Sequence, residues 1–317
     1  MFIWDGGLKL ARADLAVDFA RRQPRAFVSH AHADHIARHE YTFCTPGTAR
    51  LIELRLGRRR FLEMSYREPI EWGGLQLTAY PAGHCLGSAM LLAEDGAESL
   101  LYTGDFKLGR SATAVQAELP RADLLVIEST YGRPQYRLPP REQAVAELVE
   151  LVRRTLRDGA IPVVHAYILG KSQEVTRVLT DHGIAVVQHR HIHRVSQVYE
   201  QCGVGLGAFG LLGDQPPANT AVVAPPRWRP GEHWPRAVRI AVTGWAMASA
   251  TRFRWSVDHA VPLSDHADFD ELIEAVERVG PRTVYCTHGP ESFVDHLAER
   301  GFDARPLGRP WQRRLFN

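Results

Sequence analysis

Three imidazoles and a carboxylate crowd the run Ser29-His30-Ala31-His32-Ala33-Asp34-His35, directly behind the apolar residues Ala26-Phe27-Val28. Buried groups of this kind must find partners or cost free energy. The spacing H-x-H-x-D-H supplies a use for them. If a strand ends at Val28, His30 and His32 project to one side of the extended chain, and Asp34 and His35 follow where it turns. Two adjacent metal ions fit that arrangement. Three later segments offer further ligands, each closing an apolar run: Tyr80-Pro81-Ala82-Gly83-His84, Tyr102-Thr103-Gly104-Asp105 and Tyr285-Cys286-Thr287-His288. His84 follows a glycine that permits close backbone approach, and Asp105 is suited to bridge two cations.

The elements that must position these groups are short strands. Apolar runs at 26–28, 75–80, 89–93, 100–102 and 124–127 are separated by Gly, Pro and charged residues, with one helical piece at 48–56. After a polar connector at 133–140 the texture changes. Residues 141–157 carry apolar side chains at helical spacing. Strands expected at 161–164, 184–187, 221–224 and 238–242 then alternate with helices at 171–180 and 194–201, the pattern of a parallel sheet. From about residue 260 comes a short strand, a helix at 269–279, a strand at 283–286 and a helix at 291–300. The reading is an α/β protein with a β-rich first domain (1–133 and 251–317) interrupted by an inserted α/β domain (134–250).

The chain has 317 residues, 45% hydrophobic and 23% charged, as ordinary globular proteins do. No apolar stretch reaches membrane-spanning length and the N-terminus lacks a signal-peptide pattern, so a cytoplasmic protein with no membrane partner is expected. Its four cysteines form no C-x-x-C pair and are read as free thiols. The net charge of +2 does not by itself call for a polyanion. The kind of charge says more: lysine stands only at 9, 107 and 171, leaving 38 − 3 = 35 arginines, which make forked bonds to phosphate. Arginines cluster at 58–60, at Arg227/Arg229, at Arg252/Arg254 and at Arg309, Arg313 and Arg314, weakly favouring a phosphate-rich ligand.

The ordered set His30/His32/Asp34/His35, His84, Asp105 and His288 resembles the metallo-β-lactamase superfamily. Three segments narrow the resemblance to its β-CASP nuclease branch: Ile127-Glu128-Ser129-Thr130-Tyr131-Gly132, Leu263-Ser264-Asp265-His266-Ala267-Asp268 and Thr287-His288-Gly289. They look like motifs A, B and C, with Glu128, His266 and His288 at the diagnostic positions. Ala166-Tyr167-Ile168-Leu169-Gly170-Lys171-Ser172-Gln173, Val223-Ala224-Pro225-Pro226 and Thr243-Gly244-Trp245 resemble the bacterial ligase-associated DNA exonucleases. The resemblance covers nearly the whole chain. It implies an αββα metallo-β-lactamase sandwich with an inserted β-CASP cap.

Carried over residue by residue, the resemblance implies that His30, His32 and His84 hold one divalent ion. Asp34, His35 and His288 would hold the other, with Asp105 bridging and Asp18 either orienting the ligands or serving as a turn carboxylate. Zn²⁺ and Mn²⁺ both suit such ligands. Asp34, Glu128 and His266 are the candidate catalytic residues: water activated by the two ions would attack phosphorus while His266, oriented by Glu128, assists the leaving oxygen. The implied activity is a DNA exonuclease, 5′-to-3′ on single-stranded DNA, acting in DNA repair and associated functionally with an ATP-dependent DNA ligase. A β-CASP ribonuclease would share every catalytic residue, although a chain of this length leaves little room for a further RNA-binding domain. A small-molecule hydrolase would not need the cap, Glu128 or His266, and a non-catalytic nucleic-acid binder would have lost ligands. Lys171, at the start of a cap helix, either faces a phosphate or is an ordinary first-turn residue. Arg252 and Arg254 are candidates for the same channel. His189, His191 and His193 have no counterpart in the motifs and are read as a solvated loop open to stray metal.

Overall fold

A computed structural model describes residues 1–308 apart from Pro235 and Ser249. The arginine cluster at 309, 313 and 314 lies outside the described residues. With strands numbered along the chain, the first sheet runs in sequence order through β1 (Phe2–Trp4), β2 (Leu8–Leu10), β3 (Leu15–Val17), β4 (Arg25–Phe27), β5 (Tyr41–Cys44) and β6 (Phe61–Glu63). The second contains β7 (Pro69–Trp72), β8 (Leu75–Pro81), β9 (Ala89–Glu94), β10 (Ser99–Tyr102), β11 (Leu124–Glu128), β18 (Thr283–Thr287) and β19 (Ala304–Pro306), in the order β19-β18-β11-β10-β9-β8-β7. Alternate side chains of the two sheets meet face to face: Leu10, Val17, Phe27 and Phe43 of the first pack with Leu77, Leu91, Leu100 and Val126 of the second. Phe27 and Phe43 are fully buried, each stabilising the sandwich by about 1.5–3 kcal/mol.

Helices close the two outer faces. Helix α1 (Pro46–Leu56) turns Ala49, Leu51 and Ile52 against the first sheet. On the second sheet lie helix Phe269–Val279 and helix Ser292–Glu299, called α6 and α7 in chain order. Helix α6 shows how firmly the sequence sets these bounds. Asp268 accepts from the Glu271 N–H at 2.9 Å, and Glu271 accepts from the Asp268 N–H at 3.0 Å. Leu272, Ile273, Val276 and Val279 form its buried stripe, and Gly280 ends it in the left-handed conformation. The result is the αββα sandwich of the metallo-β-lactamase fold.

A third sheet is parallel throughout, in the order β14-β13-β15-β12-β16-β17. Its strands are β12 (Ile161–His165), β13 (Ala185–Gln188), β14 (Phe209–Leu211), β15 (Thr220–Ala224), β16 (Ala237–Val242) and β17 (His259–Val261). Helix α2 (Arg141–Arg157) leads into β12, and α3 (Lys171–Asp181), α4 (Arg190–Gln201) and α5 (Thr251–Trp255) each join two of the strands. Their continuous Val/Ala runs are what a strand buried on both faces requires. The sequence places the return to the first domain at residue 251, but the third sheet keeps the chain until Val261. Three-residue β17, next to Pro262, is the short strand expected from about residue 260, but so little pattern does not show that it pairs with β16. Among the described residues no helix is long and apolar enough to cross a membrane.

Candidate active site

All the candidate groups sit at or just past strand ends. Ser29–His35 follow β4, His84 follows β8, Asp105 follows β10, Glu128 closes β11, His266 lies beyond β17 and His288 follows β18. Strands β10, β11 and β18 are parallel neighbours, so their C-terminal ends share one edge of the sandwich. His288 adopts φ 55°, a left-handed turn that takes the chain back over that edge.

At the centre His32 Nδ1 lies 3.0 Å from His30 Nε2 and 3.1 Å from His84 Nε2. The outward nitrogens fix what these atoms are. His84 Nδ1 donates to the Asp265 backbone carbonyl at 2.8 Å, and His32 Nε2 donates to the Leu169 carbonyl at 3.1 Å. The Ser29 hydroxyl donates to Asp18 and so accepts from His30 Nδ1 at 3.0 Å. Burial, the main cause, holds His30 well below the usual imidazole range, lowers His32 and takes His84 down to about 4. Three neutral imidazoles therefore aim three lone pairs at one point, which is repulsive unless a cation occupies it. Four ligands at 2.0–2.1 Å in a tetrahedron stand about 3.3 Å apart, close to the spacing found. Asp105 Oδ2 completes the group, 3.4 Å from His30 Nε2 and 3.9 Å from His84 Nε2. The donor set fits a divalent ion.

A second group shares Asp105. His35 Nε2 lies 3.5 Å from Asp105 Oδ2, and His288 joins the two. Burial works against a charge on His35, but Asp18 and Asp105 outweigh it and raise its pKa to about 11, so without an ion this imidazole keeps both protons. Asp34 stands apart. Its carboxylate is 81% exposed and 3.8 Å from His35 Nε2, on a turn that points it into the cleft rather than into either ligand group. Asp18 is the hub beneath both groups, accepting from the Ser29 N–H at 2.7 Å, the Ser29 hydroxyl, His35 Nδ1 at 2.8 Å and the Tyr102 hydroxyl at 2.8 Å. Four donors hold it at φ 49° and lock the rings it supports.

Glu128 is 1% exposed and receives the Phe106 and Thr130 N–H groups at 3.1 and 3.3 Å. Its Oε1 lies 3.0 Å from His266 Nδ1, whose other nitrogen faces Asp105 at 3.9 Å. Burial opposes charge on His266, but Glu128 and then Asp105 overcome it and bring its pKa up to about 10. A cationic imidazole on a fixed carboxylate thus looks onto the ligand groups.

These residues open into a cleft of about 840 Å³. Its far wall is built from the C-terminal ends of the third sheet: Tyr167–Leu169 after β12, His191 and Arg194 after β13, Pro226 after β15, Thr243–Trp245 after β16, and Asp265. In open α/β sheets ligands bind at this edge. Aromatic rings line it. Tyr131 packs on Trp245 at 4.8 Å and edge-on to His266 at 6.1 Å, and half-exposed Tyr167 meets Trp255 at 5.7 Å.

Three sequence expectations change here. Lys171 lines the cleft but is 1% exposed, bonded to Glu174 at 2.8 Å and 3.7 Å from Asp265, so its charge is shared with a buried ion network. Arg252 and Arg254 sit on the outside of α5 and do not line the cleft. His189, His191 and His193 form no loop. His189 caps α4, accepting from the His191 N–H, and His191 reaches the cleft. Asp265, whose carbonyl orients His84, went unassigned, although it stands in the same short run as His266.

Residues 12–166 match a family profile described as a beta-lactamase superfamily domain, and residues 257–306 match a Zn-dependent metallo-hydrolase RNA specificity domain. The chain is 37% identical to a "Probable DNA ligase" of Opitutus terrae, covering 98% of this chain and 31% of that protein. It is 30% identical to "5' exonuclease Apollo" of Gallus gallus, over 88% of this chain and 62% of the relative. An "RNase J-like protein" of Methanocaldococcus jannaschii is 31% identical over 49% of this chain and 43% of its own length. The chain thus spans less than two thirds of each of these relatives. A solved Enterococcus faecalis structure of unknown function superposes with TM-score 0.61 at 15% identity, covering 90% of this chain and 79% of that one, and shares the fold.

Proposed function

The chain belongs to the metallo-β-lactamase superfamily, in its β-CASP branch, and from that premise we propose that it is a metal-dependent DNA exonuclease. The observation that carries the reading is the Glu128–His266 pair, 3.0 Å apart, facing two ligand groups joined by Asp105 at the floor of a long aromatic-walled cleft. A small-molecule hydrolase needs neither that pair nor that length of wall.

His30, His32, His84 and Asp105 would hold one divalent ion, and Asp105, His35 and His288 the other, with Asp34 at the rim of the second. Bound there, such ions supply a nucleophile at neutral pH and positive charge for the phosphoryl oxygens. Zn²⁺ and Mn²⁺ both suit the donors. The protein's own part is positional. Glu128 receives the His266 Nδ1 proton in a hydrogen bond and keeps the ring cationic, and His266 Nε2 gives its proton to the departing sugar oxygen. Asp18 and the Asp265 and Leu169 carbonyls hold the ligand rings still. Tyr131, Trp245 and Tyr167 offer flat faces on which unpaired bases stack, favouring single strands.

The relative named as a DNA ligase favours DNA, and the one named as a 5′ exonuclease favours exonucleolysis without naming its substrate. The relatives named as a DNA ligase and a 5′ exonuclease match 98% and 88% of the chain, whereas the RNase J-like protein and a cleavage and polyadenylation factor subunit match 49% and 51%. The exonuclease relative's name supports 5′-to-3′ polarity, and the ligase relative supports a functional association with a DNA ligase in repair. The match of residues 257–306 to an RNA specificity domain is the observation on the side of a ribonuclease. Single-stranded DNA and matched RNA, each labelled at the 5′ or 3′ end, would be digested with Zn²⁺ or Mn²⁺. Stepwise loss of nucleotides from the DNA 5′ end is expected. Cleavage of RNA alone would replace this reading with the ribonuclease.

A further inference from the structure

A second concave surface lies away from the catalytic cleft and shares no residue with it. It encloses about 670 Å³, and its lining includes five arginines, Arg22, Arg38, Arg58, Arg59 and Arg60, against one carboxylate, Glu40. Most of this charge is uncompensated. Arg22 meets Glu40 at 3.1 Å, Arg59 donates to the Leu56 carbonyl at 2.6 Å, and Arg60 lies 5.7 Å from the Tyr41 ring. Arg38 and Arg58 have no hydrogen-bond or ion-pair partner among the described residues. One or two cations at the C-terminal end of α1 would answer its helix dipole. Five guanidiniums converging on one hollow exceed that need, and their forked donors match phosphate oxygens.

The topology relates this hollow to the active site. Strands β4 and β5 are parallel, so His30–His35 stand at the C-terminal end of β4 while Arg38 and Glu40 precede the other end of β5. Helix α1 returns from the ligand edge to Leu56, followed by Arg58–Arg60. Arg55, in the last turn of α1, lines the catalytic cleft and donates to the Ala31 carbonyl, so it stands between the two sites.

We infer that the arginine hollow is a second phosphate-binding site, taking the sugar-phosphate backbone of the same nucleic-acid strand where it runs on beyond the cleft past Arg55. The inference rests on the nuclease reading for its ligand but not for its chemistry. It makes grip depend on strand length: a short oligonucleotide fills the cleft alone, and a longer one reaches both sites.

The test is a triple variant, Arg38→Ala/Arg58→Ala/Arg60→Ala, beside a charge-keeping triple Lys variant, with binding and hydrolysis measured on a DNA trimer and a DNA 20-mer across salt. The Ala triple should weaken 20-mer binding roughly 10-fold or more at physiological salt and flatten the log K against log salt slope by about 2, at about 0.7 per lost single-strand phosphate contact. The trimer should be untouched, and the Lys triple should stay within a few-fold of wild type. Equal weakening of both lengths, or of neither, overturns the inference. So does loss of tripolyphosphate binding with the 20-mer held as by wild type, which would mark a site for a free polyanion. Wild-type binding of the 20-mer without hydrolysis of any strand would sink the nuclease reading yet leave the length-dependent grip measurable.

Discussion

Gly104→Ala isolates the link between backbone and ligand geometry. Gly104 precedes Asp105 and takes φ 54°, and a Cβ built on it falls 2.6 Å from Ser29 Oγ. Real Cβ contacts essentially never come below 3.0 Å, so one side must yield by at least about 0.4 Å. Ser29 has little freedom, because its hydroxyl bonds both Asp18 and His30. The strain therefore passes to Asp105, the one carboxylate shared by the two ligand groups, now 3.4 Å from His30 and 3.5 Å from His35. Metal sites tolerate about 0.2 Å in ligand distance, so the displacement exceeds the tolerance. Affinity for divalent ions should fall roughly 10–100-fold, as for lost orienting contacts, and the left-handed backbone should cost a further 1–3 kcal/mol or so of stability. Equilibrium dialysis against Zn²⁺ and Mn²⁺ with metal analysis, paired with urea unfolding, measures both. Two ions bound with wild-type affinity would show that Asp105 does not depend on this close approach and would refute the reasoning.

Further outcomes follow from the same geometry. His266→Ala should lower turnover by roughly 10²–10⁴-fold with metal content preserved, and a parallel fall in bound metal would remove His266 from its assigned role. Lys171→Met takes the cation from Asp265 and leaves Glu174 with Arg141 alone, which should destabilise the protein by about 1–3 kcal/mol in urea unfolding; an unchanged midpoint would mean that Lys171 is dispensable to the network. His35, with its pKa raised to about 11, holds a proton on the nitrogen that faces Asp105, whereas His30, His32 and His84 hold none on theirs. Filling the second site between pH 6 and 9 should therefore release about one proton, with apparent affinity rising tenfold per pH unit. Calorimetry in buffers of different ionisation enthalpy reads that proton, and buffer-independent heats would contradict the tautomers described above.

The ligand run was legible because imidazoles and carboxylates after an apolar strand have few bland uses, and every ligand proposed from the sequence except Asp34 falls into the clustered groups. Asp34, exposed and 3.8 Å from His35 Nε2, stands outside them on a turn whose course the spacing does not specify. Long periodic elements such as α2 and α6 were found, while β1–β3, β5–β7, β14 and β19 were not. Those strands are three or four residues long and owe their conformation to pairing rather than to their own pattern. The fates of Lys171 and of Arg252 and Arg254 could not be read from spacing. Whether a cation meets substrate, a buried carboxylate or water is decided by segments far away in the chain.

Two rings of the first ligand group lean on main-chain oxygens of distant origin, His32 on Leu169 and His84 on Asp265. The first of these comes from the loop after β12 and the second from the segment after β17, both stationed by the third sheet rather than by the sandwich that carries the rings. The third sheet thus fixes the tautomers of two rings that the sandwich carries, and a displacement that broke these bonds would weaken the hold of those rings on a cation.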